Sequence, residues 1–300
     1  MRPSEYNENM RFNDANSYFK KTFGHKMYKA AISLPVTCPN RDGTCGVGGC
    51  AFCSEGGSGE FATASSIPVK DQIDQAIGKL SSKVPADTGY IAYFQSFSNT
   101  YCEPSVLKAA LDEAACHPKV EALSVATRPD CLPDGIINVL RDTACRIPLF
   151  VELGLQTSSD ETAEWFGRGY KTEVYIDAVR KLRAVGVNVI THIIFGLKGE
   201  DKEQMIDSVR TAVAAGSDGV KFTCLYILRG TRAEEEWRSG NIDVLEMNEY
   251  FDIVEEAITL LPPDVVVHRI TGDGPKKLLL APMWTADKRK VINYINGRFG

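Results

Sequence analysis

The sequence predicts an α/β fold in which strands and helices alternate, closing as a βα barrel or partial barrel of six strands. Three observations carry this. Short apolar runs recur as far as Leu228 without strict polar alternation, as strands buried on both faces of a parallel sheet do. The segments between them have helical spacing and the length that parallel crossovers require. Polar residues gather where each run finishes, which in a βα barrel is the end that carries chemistry.

Taken in order, Tyr28 to Val36 reads as the first strand and delivers the chain into CPNRDGTCGVGGCAFC, Cys38 to Cys53, a Gly-rich loop with four of the nine cysteines. After a Ser/Gly-rich stretch, Val69 to Leu80 places Val69, Ile73, Ala76, Ile77 and Leu80 at helical spacing. Further strands are expected at Gly89 to Gln95, Glu121 to Thr127, Pro148 to Gln156, Val187 to Gly196 and Gly219 to Leu228. Pro104 and Pro133 open two of the intervening helices, and Gly186 and Gly216 stop two others. Met205, Val209 and Val213 mark the buried stripe of the last one. The tail differs: Leu245 to Leu261 is an amphipathic helix stopped by Pro262 and Pro263, Val265 to Ile270 an edge strand, and Asp287 to Asn296 a final helix. No long linker divides the chain, which reads as an N-terminal extension (1–27), the barrel (28–240) and a C-terminal extension (241–300) packed on it.

Three hundred residues at 44% hydrophobic content can bury a sizeable core. The N-terminus has no apolar targeting run, and the most apolar run, Val187 to Leu197, is too short to span a bilayer, so a cytoplasmic protein without membrane contact is expected. An odd number of scattered cysteines argues against a disulfide framework. A net charge of −5 argues against indiscriminate adhesion to nucleic acid, although Lys276-Lys277 and Lys288-Arg289-Lys290 could form a local basic rim.

Thiolates gathered on a Gly-rich loop suit a soft metal centre, and zinc and iron–sulfur clusters are the two usual occupants, which spacing alone does not separate. The strand ends add polar residues in an ordered series: the cysteines, Gln95 to Asn99, Thr127 to Asp130, Glu152 and Gln156, His192 with Gly199-Glu200, and Arg229 to Thr231. A closed zinc knuckle would not need so elaborate a floor.

With these features in sequence, the chain resembles the radical S-adenosylmethionine (SAM) enzymes. CPNRDG…GGCAFC, SVATRPDCLPD, VELGLQ, IIFGLKGE and, near the end, APMW resemble one branch of them, the YhcC/YtqA-like proteins, relatives of the radical domain in the catalytic subunit of Elongator. The likeness runs from about Tyr28 to the C-terminus. It implies a partial (β/α)6 TIM-like barrel of the radical SAM type, with a [4Fe–4S] cluster and S-adenosylmethionine as cofactors. Three cysteines would hold the cluster, leaving one iron open to the amino and carboxylate groups of SAM, whose cleavage gives a 5′-deoxyadenosyl radical. The resemblance also implies an electron donor such as flavodoxin or ferredoxin and, through kinship with Elongator, a tRNA substrate modified at a wobble uridine side chain. A small metabolite or a protein side chain as substrate, or a non-catalytic zinc protein, are the alternatives.

Most of these enzymes space the cysteines as Cys-x3-Cys-x2-Cys, and this chain departs from that. Cys50 and Cys53 keep the x2 pair. In the branch it resembles, the first ligand follows strand one directly, which implies Cys38 and leaves Cys45 a spectator. By the same resemblance Phe52 would lie beside the adenine. Gln95 to Asn99 occupy the place of a Gly-Gly-Glu-like motif that receives the methionyl amine. Gln156 and Arg168 would contact the ribose and the methionyl carboxylate, and Glu152 and His192 would face the cofactor. Ala126 stands where Elongator-type sequences carry glutamate, and Lys198 where proline is usual.

Overall fold

Seven parallel strands curl into a half-barrel in the computed structural model, which describes residues 10–300 apart from 58, 61, 82, 83, 86 and 273. Residues 1–9 of the expected N-terminal extension lie outside the described residues. The strands β1 (Met27–Ile32), β2 (Gly89–Phe94), β3 (Val120–Thr127), β4 (Leu149–Gln156), β5 (Asn188–Phe195) and β6 (Gly219–Cys224) lie side by side in chain order. The chain then forms β7 (Ile227–Leu228) and, after it, β8 (Val266–Arg269), which joins the open edge parallel to β6. The edge strand expected over 265–270 is thus the seventh stave of the barrel.

The helices between strands bury their apolar stripes against the outer face of the sheet. These are α2 (Val69–Ser81), α3 (Pro104–Ala115), α4 (Asp134–Ala144), α6 (Thr172–Ala184) and α7 (Lys202–Ala215), while the short α5 (Asp160–Phe166) follows β4. Ile73, Leu107, Leu111, Ile136, Leu140, Leu182, Ile206 and Val209 are fully buried there, each removing apolar surface worth about 1.5–3 kcal/mol from water. Local chemistry sets their ends. Asp201 and Gln204 form a reciprocal capping box at the start of α7, and Gly216 stops it in the left-handed region. The tail contributes α8 (Arg232–Arg238), α9 (Met247–Thr259) and α10 (Lys288–Phe299). No described helix is long and apolar enough to cross a membrane.

Two elements differ from expectation. The strand expected over 219–228 is broken: β6 loses its partner where β5 ends, opposite Cys224, and the chain turns away so that β7 pairs antiparallel with β9 (Leu279–Ala281). Ahead of β1, a segment that reads as polar folds as helix α1 (Ala15–Phe23), with Asp14 accepting from the Asn16 and Ser17 amides and Gly24 ending it at φ 83°. Its stripe of Ala15, Tyr18, Phe19 and Phe23 packs on Ile91, Ala122, Phe150, Ile190 and Val266. Helix α1 therefore plugs the barrel at the end opposite the cysteines.

Candidate functional site

The cysteine loop is held in place by its own backbone and by two helix ends. Asn40, 2% exposed, organises it: its Nδ2 donates to the Gly167 carbonyl (2.6 Å) and to Cys50 Sγ (3.2 Å), while its carbonyl accepts from the Gly49 amide (2.8 Å). Ala51, inside the Cys-x2-Cys turn, donates to Phe166 at the end of α5 and accepts from Ala233 in α8 (2.9 Å each). Cys53 donates its amide to the Cys50 carbonyl (2.9 Å), closing the turn. Arg41 reaches back to Cys53 Sγ (3.4 Å) and lies over the Phe97 ring. Gly169 is required beside this loop: at φ 81° a Cβ would come within 3.0 Å of Asn40 Oδ1 and 3.2 Å of Cys45 Cβ.

At the C-terminal ends of the strands this loop roofs a cavity of about 500 Å³. Cys38, Cys50 and Cys53 line it; Cys45 is exposed and does not. Burial, with Cys53 beside it, pushes the Cys50 thiol up to about 12, and burial raises Cys53 as well. Thiols in that state are neutral until a metal cation binds, displaces their protons to solvent and holds them as thiolates. Among the described residues no three His, Cys, Asp or Glu side chains converge on a single ion. Cysteines that hold an iron–sulfur cluster would each bind a different iron, so they spread around the cluster rather than meeting at one centre. Three thiols around one cavity, two of them receiving N–H donors at sulfur, fit such a cluster.

Phe52, Gln95, Glu152, Gln156, Arg168 and His192 all line the same cavity. Phe52 also packs on Phe166 with ring centroids 5.1 Å apart. Gln156 has φ 60° and Phe97 has φ 57°, the two non-glycine residues with left-handed backbone among those described, and both face the cavity. Two expectations need correcting. Asn99 does not line the cavity: it is fully buried, and its Nδ2 ties the Phe94 carbonyl (3.0 Å) to that of Ala126 (2.9 Å), joining β2 to β3. Arg168, expected at a methionyl carboxylate, spends its five N–H groups on protein acceptors: the carbonyls of Tyr170, Leu155 and Thr157, Asp160 Oδ1 and Thr172 Oγ1 (2.7–3.0 Å). It holds the β4 turn. Arg128 lines the cavity as well. It forks onto Asp130 through Nε and Nη2 (2.9 and 2.6 Å), and its guanidinium and that of Arg168 both lie against the Tyr170 ring, 4.9 and 4.8 Å from its centroid.

Deeper in the barrel lies a polar centre of which the sequence points to Glu152 and His192 but not to their partners. Glu152, 1% exposed, accepts from Lys29, Lys221, Tyr93 Oη (2.9 Å), Ser124 Oγ (2.8 Å) and His192 Nε2 (2.8 Å). Burial would push its carboxyl up, but Lys221, Lys29 and His192 outweigh that and hold it well below the usual carboxylate range. Because an ionised carboxylate only accepts, His192 carries its proton on Nε2. The signal was present: Lys29, Glu152 and Lys221 each stand mid-strand in an otherwise apolar run, where a charge has to be paired.

Burial, then Lys221, lowers the His192 imidazole to about 4 against Glu152, so it is neutral near pH 7. Its folded value lies below the unfolded 6.5, so the stability it contributes is complete above 6.5 and is lost as pH falls towards 4. In urea titrations across that window His192→Gln is expected to show a shallower loss of stability than wild type. Parallel curves would show that His192 does not titrate this way.

A model of the radical SAM superfamily matches residues 36–212, and one of the radical SAM C-terminal domain matches residues 217–299. The chain is 38% identical to the uncharacterized protein YtqA of Bacillus subtilis, over 97% of this chain and 90% of that protein. Protein YhcC of Escherichia coli is 31% identical over 89% and 85%. A tRNA uridine(34) acetyltransferase of Methanocaldococcus jannaschii is 31% identical over 57% of this chain and 31% of its own length. Among solved structures, Elp3 of Methanocaldococcus infernus superposes with a TM-score of 0.66 at 18% identity, over 91% of this chain and 63% of that one, which shows a shared fold. This chain belongs to the radical SAM superfamily, whose barrel and cysteine loop it carries. Within the superfamily it falls in the YhcC/YtqA-like branch.

Proposed function

We propose that Cys38, Cys50 and Cys53 hold a [4Fe–4S] cluster, that S-adenosylmethionine binds beside it in the cavity, and that the chain modifies tRNA at a wobble uridine side chain. The placement of the thiols carries the cofactor reading: three line one cavity and the fourth stands outside it. When bound, cluster and SAM supply a 5′-deoxyadenosyl radical, and the protein's share is positioning and shielding.

That share can be assigned to residues. Asn40 and Arg41 direct N–H groups at Cys50 and Cys53, the kind of contact that tunes a cluster's potential. Phe52 presents an aromatic ring to the cavity, and Gln95 and Gln156 present amides. Arg128 keeps Nη1 clear of its fork with Asp130 and so retains donors for a planar carboxylate. Arg168 acts as a positioning residue.

The substrate reading rests on two supports. Relatives that match part of the chain include a tRNA uridine(34) acetyltransferase. At the cavity mouth, Lys276 and Lys277 are exposed directly after the lining residues Gly274 and Pro275, and the Arg229 amide donates to the Leu278 carbonyl (2.7 Å), bringing a third exposed cation to the same hairpin. Such a rim suits a phosphate backbone. Nucleoside analysis of tRNA from a deletion strain is expected to show one wobble-uridine species lost and its precursor accumulated, restored by the wild-type gene and not by Cys38→Ala. An unchanged profile would sink the tRNA reading.

A further inference from the structure

The polar centre at the bottom of the cavity carries more positive than negative charge. Lys29, Lys221 and Arg269 come from β1, β6 and β8, and Glu152 from β4 is the one carboxylate among them. Lys221 and Glu152, both almost fully buried, face each other as a pair. Lys29 leans on Glu152 and on the Tyr93 ring, 4.1 Å from its centroid, and remains open to the cavity along with Arg269. The Arg269 side chain makes no hydrogen bond or ion pair with any described residue, though half-buried at the cavity wall. An ammonium has three N–H groups and a guanidinium five, so most of the donors here are unspent. The other lining carboxylate, Glu60, is on the cysteine side and accepts from Ser54.

A half-buried cation without a partner at the closed end of a cavity is costly unless an anion is brought to it. Helix α1 seals that end, so the anion arrives from the mouth. We propose that Arg269 and Lys29 form a binding subsite for an anionic group of the substrate, a carboxylate or a phosphate, beneath the cofactor. The inference rests on the reading that this cavity is the reaction chamber. A substrate anchored there at one end lies between the cysteine end and the floor, with its reacting carbon towards the cofactor. The Glu152 network beneath keeps Lys29 in place, and Tyr93 closes one wall.

The test uses the full chain with its cluster reconstituted and SAM present at saturation, so that Arg128 is engaged. Inorganic phosphate and acetate are titrated separately by calorimetry into wild type, Arg269→Met, Lys29→Met and Arg269→Lys. One saturable site per chain is expected for at least one anion. Affinity should fall about tenfold or more in Arg269→Met and Lys29→Met, the effect of losing a charge-assisted hydrogen bond, and recover in part in Arg269→Lys. Preference for phosphate assigns a phosphorylated substrate, and preference for acetate a carboxylate one. No saturable binding to wild type, or equal binding by wild type and both methionine variants, would overturn the proposal. Iron content, measured in the same samples, reports separately on the cofactor reading: a wild type that holds no cluster refutes that reading whatever the anions do. If Arg269→Met does not fold, Lys29→Met decides.

Discussion

Anaerobically purified Cys38→Ala, Cys50→Ala and Cys53→Ala proteins are expected to be colourless, with iron falling from about four atoms per chain to near none, and to form no 5′-deoxyadenosine from SAM. Cys45→Ala is expected to stay brown, keep its iron and keep that activity. The contrast follows from geometry, because the first three thiols line one cavity whereas Cys45 is exposed and packs beside Gly169. Iron quantitation with visible spectra of all four variants checks it. A Cys45→Ala protein that loses its cluster, or a zinc-loaded colourless wild type, would defeat the assignment. Burial holds the Cys50 thiol up at about 12 when no metal is bound, so in a preparation stripped of iron Cys50 should react slowly with thiol reagents at neutral pH, unlike the exposed Cys45, Cys116 and Cys145.

Replacing Glu152 should have the largest effect on stability of any single barrel substitution. Glu152→Ala removes the counter-charge of Lys221 and Lys29 and leaves the Tyr93 and Ser124 hydroxyls without their acceptor. Breaking a buried ion pair from one side costs on the order of 3–5 kcal/mol. Tyr93→Phe, which deletes one donor to a carboxylate that keeps four others, should cost about 1–3 kcal/mol. Urea unfolding of both variants measures the difference, and a Glu152→Ala protein as stable as Tyr93→Phe would show that the lysines lose their charge at little cost.

The barrel was legible because its signals are local. Gly89 to Gln95 and Pro148 to Gln156 are apolar runs bounded by turns, and the observed strands start and stop within a residue of them. The cysteine loop was legible because its wording is continuous. What stayed hidden depends on partners far along the chain. Whether an arginine is free to bind a ligand turns on which carbonyls face it: Arg168 meets those of Leu155 and Thr157 across a turn no local pattern encodes. Asn99 was placed at the cofactor by position alone, yet its amide is used to bridge two strands. Helix α1 was missed because its apolar stripe, Ala15, Phe19 and Phe23, occupies only nine residues of otherwise polar sequence, and only the barrel bottom gives that stripe a surface to cover. Lys29 and Lys221, 192 positions apart, become neighbours only when the sheet curls round to Glu152.

That curling has a consequence for how the chain finds its fold. Lys29, Tyr93, Ser124, Glu152, His192 and Lys221 come from six successive strands and meet at one carboxylate. Slipping any of these strands by one residue would turn its polar side chain outward, towards the apolar stripes of the helices, and put an aliphatic one against Glu152. Apolar packing alone tolerates such slips, since one valine or isoleucine replaces another at small cost. A buried charge does not, so the six side chains act together as a lock on strand register, and misaligned barrels are excluded by the penalty of stranding an ion in hydrocarbon.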